Sequence, residues 1–376
     1  AAIAAAVLTA LASVSWAGMP GAQAAERTTP LVVTEKDQTI HDDFGTASQP
    51  VSITDGQTPA VLEIASSAAD KGGVTTVNSQ TIHGSFSNQG EANGIWVQDN
   101  YPGTVRLANG LNVKVDAAGN SYNTSGIYLE GVDISRDPDY GSDKQPPYNK
   151  PNESRAANNE YTNTYKGQIS PTTVHVGDQT TITINGKALE GKVGEYINAT
   201  ALENHFGHMM VGDNVHLIIT SDVFQSNDSV GFHQLFYGNT TIGNGFSSSV
   251  SVNTDKDSKL VRVGALVSGH DHYGDQAPVA TQAVLHIRDN ASLQVLAKVD
   301  STPNSQEVSL HGASLSSTDF SFGNRLHVEV DQIGANNNQK TEDVNEHSNV
   351  FGIFARRGKG KIGDGLSNIL DVKNSS

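Results

Sequence analysis

Two histidines and two aspartates lie close together in residues 269–275, which read G-H-D-H-Y-G-D. On a β-strand, His270 and His272 would project to the same side, because successive side chains alternate between the two faces. Imidazole nitrogens at that spacing can bind a divalent metal ion. The alternative is an exposed polar loop, since the sequence identifies no third ligand. His270 and His272 are therefore the candidate metal ligands, and no cofactor is predicted.

A second histidine pair, His205 and His208, has the i, i+3 spacing that brings side chains together on a helix. Nothing around this pair indicates a helix, so it is the less favoured metal candidate. The chain also lacks the G-x-S-x-G nucleophile elbow and the P-loop. We therefore assign no catalytic residue and expect a protein that is not an enzyme.

Three aspartates near the ends of predicted strands give the alternative, enzymatic hypothesis: Asp116, Asp331 and Asp371. Many β-helical enzymes cleave acidic polysaccharides with carboxylates on one sheet, helped by a basic residue that stabilises the developing charge. Aspartate is equally an ordinary residue where a strand leaves for a turn, and basic residues are scarce near these positions. A secreted polysaccharide lyase or glycoside hydrolase is the second functional hypothesis.

Candidate binding residues lie in an insertion at residues 133–170, which is rich in Pro, Asn, Asp and Tyr and has no strand period. We expect a long surface loop there. Tyr148, Tyr161 and Tyr165 could bind a carbohydrate or a protein, because the ring offers apolar area and the hydroxyl a hydrogen bond. They could equally pack the loop onto the body of the protein. The basic residues of the segment 356–361 form either a solvated turn or a site for a glycan or acidic partner.

The elements that would position these candidates come from a repeated corner, exemplified by residues 173–185 (T-V-H-V-G-D-Q-T-T-I-T-I-N). A large apolar residue i is followed by a polar three-residue turn and by residues of inward type at i+4, i+6 and i+8. Seven residues occupy position i: Leu107, Val176, Val211, Ile242, Ile287, Phe322 and Ile362. The copies at Ile242 and Ile362 are exceptions, because they have a polar residue at i+6, Ser248 and Asn368. A glycine followed by an apolar residue, which we call the Gly-apolar element, precedes several corners at a similar distance, as at Gly94, Gly231 and Gly352. Together the two elements predict a coil of three strands.

The same pattern is also a hairpin signal, so the pairing register must decide between hairpins and coils. A two-residue turn would place Ile182 and Ile184 on the face opposite Val176, which rejects the tightest hairpin. A bulged hairpin and a solenoid corner both keep these residues on one face. The recurrence of the corner and of the preceding Gly-apolar strand favours coils. The predicted fold is all-β, a parallel β-helix with irregular coils and long surface loops; an antiparallel β-sandwich or β-prism array is the alternative.

Composition agrees with a thin core and restricts the partners. Only 36% of residues are hydrophobic and 17% are charged. With 40 acidic and 24 basic residues, the net charge of -16 repels phosphate backbones, so nucleic acid is not an expected partner. The chain has no cysteine, which excludes disulfides and thiolate chemistry.

The N-terminal region indicates export. Residues 1–24 form an uncharged, Ala-rich run that ends in the small-x-small sequence Ala22-Gln23-Ala24, which is typical of a signal-peptidase site. We interpret this segment as a signal peptide whose n-region is missing, and therefore expect a fragment of a longer product. Residues 25–90 are interpreted as N-terminal capping strands, and residues 91–376 as the β-helix with its insertion.

An export signal followed by a cysteine-free, acidic array of irregular β-coils resembles the passenger region of bacterial autotransporters. The resemblance rests on residues 1–24, on Gly94, Gly126 and Gly352, and on the corners at Ile242 and Ile362. It implies an adhesin-like, virulence-associated protein of the cell surface or outer membrane, or a secreted one, that binds an extracellular glycan or protein. Such proteins contact the membrane through a C-terminal barrel, whose pattern this sequence does not show; either the barrel lies beyond the sequence given, or the chain is a secreted β-helix of another kind.

Overall fold

The computed structural model describes residues 25–46, 48–53, 59–65, 72–87, 90–98, 103–119, 121–130, 172–188, 194–205, 207–235, 238–254, 260–269, 283–299, 307–334 and 348–373. The predicted signal peptide at residues 1–24 and the insertion at residues 133–170 lie outside these ranges. The described part contains strands and no helix, and accordingly no helix there is long and apolar enough to cross a membrane.

The strands are, in chain order, β1 (Glu26–Arg27), β2 (Leu31–Val33), β3 (Thr39–Ile40), β4 (Asp43–Phe44), β5 (Val51–Ile53), β6 (Ala60–Ile64), β7 (Val74–Val77), β8 (Thr81–Ser87), β9 (Glu91–Val97), β10 (Thr104–Leu107), β11 (Asn112–Ala118), β12 (Ser121–Leu129), β13 (Thr173–Val176), β14 (Thr181–Lys187), β15 (Gly194–Asn204), β16 (His208–Val211), β17 (His216–Gln234), β18 (Asn239–Ile242), β19 (Ser247–Thr254), β20 (Leu260–Ser268), β21 (Ala283–Ile287), β22 (Ser292–Lys298), β23 (Glu307–Ser316), β24 (Thr318–Phe322), β25 (His327–Ile333), β26 (Ser348–Arg356), β27 (Gly360–Ile362) and β28 (Ser367–Lys373).

These strands wind into a parallel β-helix with three stacks. The pre-corner stack is a nine-stranded sheet, β3-β7-β10-β13-β16-β18-β21-β24-β27. The post-corner stack contains β8, β11, β14, the first half of β17, β19, β22, β25 and β28. The glycine stack contains β6, β9, β12, β15, the second half of β17, β20, β23 and β26. The last two stacks, together with β1, β2, β4 and β5, form one nineteen-stranded sheet, because β17 runs through the bend between the stacks.

Parallel pairing confirms the predicted fold class. In the pre-corner stack, Val105 of β10 lies opposite Val174 of β13, one coil further along. Every strand pairing among the described residues is parallel, whereas hairpins, sandwiches and prisms would require antiparallel neighbours. The hairpin interpretation of the repeated corner is therefore wrong for the described coils.

All seven predicted corners have the same backbone conformation. Each residue i is the last residue of a pre-corner strand, as Val176 is of β13. The residue at i+3 lies in the left-handed region every time, where Gly and Asn cost least. The seven φ angles are those of Gly110 (72°), Gln179 (58°), Asn214 (56°), Gly245 (68°), Asn290 (63°), Arg325 (59°) and Gly365 (78°).

The core is the narrow space between the stacks, filled by the residues that the repeat placed inside. In the coil of β13 and β14, Val176, Ile182 and Ile184 are buried and belong to one apolar cluster that continues through the described coils. Thr180 at i+4 is buried as well and donates its hydroxyl hydrogen to the Gly177 carbonyl at 2.8 Å. Strand alternation leaves the intervening residues facing outward.

The glycines of the Gly-apolar element face the i+6 residue across this narrow core. A Cβ at Gly126 would lie 2.2 Å from Ile182 Cγ2, and one at Gly231 would lie 1.8 Å from Ser248 Oγ. Glycine is the only residue that fits at these two positions. Ser248 is itself the polar i+6 residue of its coil, and its hydroxyl donates to the Ala265 carbonyl at 2.7 Å. The polar exception in the repeat is thereby hydrogen-bonded inside the core.

The two ends of the described array differ from its middle. At the N-terminal end, β7, β8 and β9 already form a coil, with Val77 opposite Leu107. Its corner is one residue shorter than the seven predicted ones, because Ile82 lies opposite Val113. At the other end, Leu366, Leu370 and Val372 of the last described coil are 45–51% exposed, although their counterparts in earlier coils are buried. The stacking of a neighbouring coil on each side is thus what buries these positions.

Candidate functional site

A row of polar and aromatic side chains crosses the outer face of the glycine stack. Strand register places Trp96 of β9, Tyr128 of β12, Glu203 of β15 and His233 of β17 at the same position of successive coils. Each follows an inward-facing apolar residue, such as Leu202 before Glu203, and so projects away from the core. Glu203 and His233 are nevertheless only 4% and 1% exposed. Two ionisable groups are therefore buried side by side on adjacent strands.

Glu203 is the centre of a three-residue cluster with His205 and His233, which we call the Glu-His-His cluster. Its Oε1 lies 2.6 Å from His205 Nε2 and 3.5 Å from His233 Nδ1. One potential ligand atom from each residue lies within 4.8 Å of the other two. Glu203 and His233 come from neighbouring strands, whereas His205 comes from the turn that leaves β15. The cluster thus depends on the stacking of two coils.

Two residues of the preceding coil hold the cluster in position. Ser125 donates its hydroxyl hydrogen to Glu203 Oε2 at 2.7 Å, so both carboxylate oxygens have neighbours. The Tyr128 hydroxyl lies 3.2 Å from His205 Nδ1. The Tyr128 and His205 rings meet edge to face at 5.0 Å, and the His205 and His233 rings do so at 5.9 Å. The His205 ring therefore lies between Tyr128 and His233.

The electrostatics of the cluster favour an ionised carboxylate. Burial alone would raise the pKa of Glu203, but the charges and hydrogen bonds of His205 and His233 outweigh it and hold that pKa well below its usual value. A buried carboxylate facing two imidazoles can form an ion pair with a protonated histidine or can share a bound cation with them. Both possibilities require the same arrangement of side chains.

The structure separates the histidine pair that the sequence suggested. His205 belongs to the cluster, but His208 is the exposed first residue of β16. The other candidate ligands, His270 and His272, lie outside the described residues, as do Tyr148, Tyr161 and Tyr165. The basic residues Arg356, Lys359 and Lys361 are exposed at the end of β26 and around β27.

The three candidate aspartates share one row of the post-corner stack but do not meet at one place. Asp331 of β25 lies opposite Asp371 of β28 on the next coil. Asp116 of β11 lies five coils away in the same row. At about 4.8 Å per coil, that separation is roughly 24 Å, too far for one active site.

Asp116 instead belongs to a polar cluster of its own. Its Oδ2 lies 2.6 Å from His83 Nε2 and 3.0 Å from Lys114 Nζ, and its Oδ1 accepts a hydrogen bond from Asn185 Nδ2 at 2.7 Å. Partial burial opposes ionisation, but the hydrogen bonds from Asn185, His83 and Lys114 and the charge of Lys114 lower the pKa of Asp116. The contacts link three successive coils, which is a structural role.

Sequence reasoning missed Glu203 and His233, although a signal for them exists. The Gly-apolar element is followed by the residue of this row, as in Gly126-Ile127-Tyr128 and Gly231-Phe232-His233. In β15 the element has Ala201 in place of glycine, so the strand of Glu203 does not match the pattern. Alignment of the residue directly after each Gly-apolar pair would have found His233, and it would have found Glu203 only if alanine were accepted in place of glycine.

Comparisons with known proteins do not assign the chain to a family. No protein-family model, curated protein or solved structure matches it. Any statement about its function therefore rests on its own residues and geometry.

Proposed function

We propose that the chain is a non-enzymatic passenger of the autotransporter kind, displayed on the cell surface or secreted, that acts in adhesion or binding to a host or matrix ligand. Its β-helix serves as a stem, and its ligand contacts come from the connections between strands. The partner is an extracellular glycan or protein.

The observation that carries this proposal is the unequal length of the connections. In seven coils, the corner between the pre-corner and post-corner stacks is four residues long. By contrast, the connection from the glycine stack to the next pre-corner strand ranges from Ser317 alone to residues 130–172. A constant core with long, variable connections on two edges is typical of a scaffold that presents binding loops.

The N-terminal sequence and the charge support the cellular location. Residues 1–24 have the apolar run and the small-x-small end of an export signal. The absence of cysteine leaves stability to strand pairing and packing, which suits folding outside the cell by stepwise addition of coils. The net charge of -16 argues against nucleic acid as a partner.

Deletion of residues 133–170 tests the role of the longest connection. The variant keeps residues 130–132 and 171–172 between β12 and β13, a bridge similar in length to residues 235–238 between β17 and β18. Because β12 and β13 pair with strands of other coils, we expect the β-sheet circular dichroism signal to persist. Binding to immobilised glycans and extracellular-matrix proteins should fall by about tenfold or more, equal to at least ~1.4 kcal/mol.

A matched control keeps the length of the insertion and shuffles the order of its residues. The shuffled protein should bind as weakly as the deletion variant, and replacement of Tyr148, Tyr161 and Tyr165 by serine should reproduce much of the loss. Unchanged binding by the deletion variant would reject the insertion as the adhesive element. A parent protein that binds no member of the panel would overturn the proposal.

A polysaccharide-cleaving enzyme is the second candidate, favoured by the pairing of Asp331 with Asp371. The two residues are opposite each other on adjacent strands, so their backbones lie about 4.8 Å apart. Retaining glycosidases hold their two carboxyl groups at about 5–5.5 Å. Cleavage of an acidic polysaccharide by the parent and its loss in Asp331→Asn would establish this candidate, whereas absence of cleavage across a polysaccharide panel would remove it.

A further inference from the structure

We propose that the Glu-His-His cluster binds one divalent transition-metal ion of the zinc class, through Glu203 Oε1, His205 Nε2 and His233 Nδ1. This site is separate from the adhesive function proposed above and does not depend on it. It would tie the turn after β15 to the glycine stack on the coil that follows.

The spacing of the donor atoms is close to what such an ion requires. Zinc lies about 2.0–2.2 Å from nitrogen and oxygen ligands, which puts tetrahedral donors roughly 3.3 Å apart. Glu203 Oε1 and His233 Nδ1 are 3.5 Å apart and therefore already meet this requirement. Glu203 Oε1 and His205 Nε2, at 2.6 Å, must separate by somewhat less than 1 Å. His205 can make that movement, because it lies in the turn beyond the last residue of β15.

The surroundings of the donors resemble the outer shell of a metal site. Metal-binding imidazoles usually have a hydrogen-bond partner at the second ring nitrogen, and metal-binding carboxylates are hydrogen-bonded in turn. Here the Tyr128 hydroxyl lies against His205 Nδ1 at 3.2 Å, and Ser125 donates to Glu203 Oε2 at 2.7 Å. Both contacts are made by atoms other than the three proposed donors.

The chemistry of the donors selects the class of ion. Two imidazoles and one carboxylate suit zinc and its neighbours in the first transition row, whereas calcium and magnesium prefer oxygen ligands throughout. A divalent ion would also compensate the charge of the carboxylate of Glu203, which is buried with only 4% exposure. Three protein donors leave one tetrahedral position for water or a bound molecule.

Titration of the full chain with Co²⁺ and Zn²⁺ tests this proposal. The parent should bind one Co²⁺ at this site with the absorption of a four- or five-coordinate ion, and Zn²⁺ should displace it. Glu203→Gln and His233→Gln should each abolish that signal. His216→Gln is the matched control: His216 also belongs to β17, but its ring contacts Ser247 at 2.7 Å and it should bind Co²⁺ as the parent does.

Two further measurements keep the test decisive if a buried substitution prevents folding. His205→Ala changes a turn residue that is partly exposed. Ser125→Ala removes only the hydrogen bond to Glu203, so the Ser125 variant should bind the metal ion about 10–100-fold more weakly. X-ray absorption of the zinc-loaded parent should show two imidazoles at about 2.0 Å. The proposal would be overturned if the parent bound no Co²⁺, if Co²⁺ binding survived in both His205→Ala and His233→Gln, or if X-ray absorption showed no imidazole ligand. Any of these results would leave the cluster as an ion pair.

Discussion

At the residue scale, the second residue of each corner turn forms a continuous ladder along the molecule. In every coil but the last described one, an Asn or Asp side chain accepts a hydrogen bond from the backbone N–H of its counterpart on the next coil. Asp178 Oδ1 accepts from Asp213 N at 2.9 Å, and Asp213 Oδ1 accepts from Asn244 N at 2.6 Å. The ladder comprises Asn109, Asp178, Asp213, Asn244, Asp289, Asn324 and Asp364. Asp178 thus lies in the polar turn of its corner and also links two coils.

Replacement of Asp213 tests the ladder. Asp213→Ala removes the acceptor for the Asn244 N–H and should lower the free energy of unfolding by about 1 kcal/mol, read from the midpoint of urea unfolding. Asp213→Asn keeps an acceptor oxygen and removes a charge next to Asp178, so it should be nearly neutral. Equal loss in both variants would mean that charge, and not the hydrogen bond, is what the position supplies.

The cluster around Asp116 predicts a dependence of stability on pH. The folded state lowers the pKa of Asp116 below its ordinary value of 3.8, against the effect of burial, through Asn185, His83 and Lys114. The contribution of Asp116 to the free energy of unfolding is therefore complete at pH values above 3.8. It is lost as the pH falls through 3.8 towards the folded-state pKa of Asp116.

Asp116→Asn should consequently be less stable than the parent at about pH 7, by about 0.5–1 kcal/mol for a partly exposed charged group. The difference should shrink as the pH is lowered to about 3, where the aspartate of the unfolded chain is protonated. Urea midpoints for both proteins across this range provide the measurement. A difference that stays constant would show that the carboxylate charge contributes nothing to the cluster.

At the element scale, the corners depend on a left-handed residue at i+3, and Gly245 offers the clearest test. Its φ angle is 68°, and a Cβ there would lie 2.4 Å from Asn214 Oδ1. Gly245→Ala should lower the free energy of unfolding by about 1–2 kcal/mol. Gly90→Ala is the control, because a Cβ at Gly90 meets nothing within 4 Å and should have little effect. Equal melting temperatures for Gly245→Ala and the parent would contradict this account of the corner.

Most of the coil was predictable because its parts are local. The corner residues are chosen by backbone conformation, and the alternation after them by the pleat of a strand, so both are visible in a dozen residues. The shorter corner after Val77 was missed because its apolar residues fall one position out of the pattern.

The Glu-His-His cluster was not predictable in the same way. It depends on which residue of one coil lies opposite which residue of the next. The insertion at residues 133–170 separates Tyr128 from Glu203 in the sequence, so this register cannot be counted along the chain. The sequence therefore suggested His205 with His208 along the chain, whereas its partners come from register across coils.

At the scale of the whole molecule, the described coils stack along one axis, and the connections between strands are spaced along it. Each coil advances by the distance between adjacent strands, about 4.8 Å. The outward-facing second-to-last residue of each pre-corner strand marks this advance, because register aligns Arg106, His175, Met210, Thr241, His286, Ser321 and Lys361. The stem function proposed above requires that this row be straight and unbroken.

Distances between spin labels along that row test the central claim most directly. The chain has no cysteine, so Arg106→Cys can be combined with His286→Cys or with Lys361→Cys and labelled without background. The first pair spans four coils and the second six, so the backbone separations should be about 19 Å and about 29 Å. An increase of roughly 10 Å between the two pairs, each with one narrow distribution, is the result expected for stacked parallel coils. Similar distances for both pairs, or a shorter one for Lys361, would contradict the continuous β-helix.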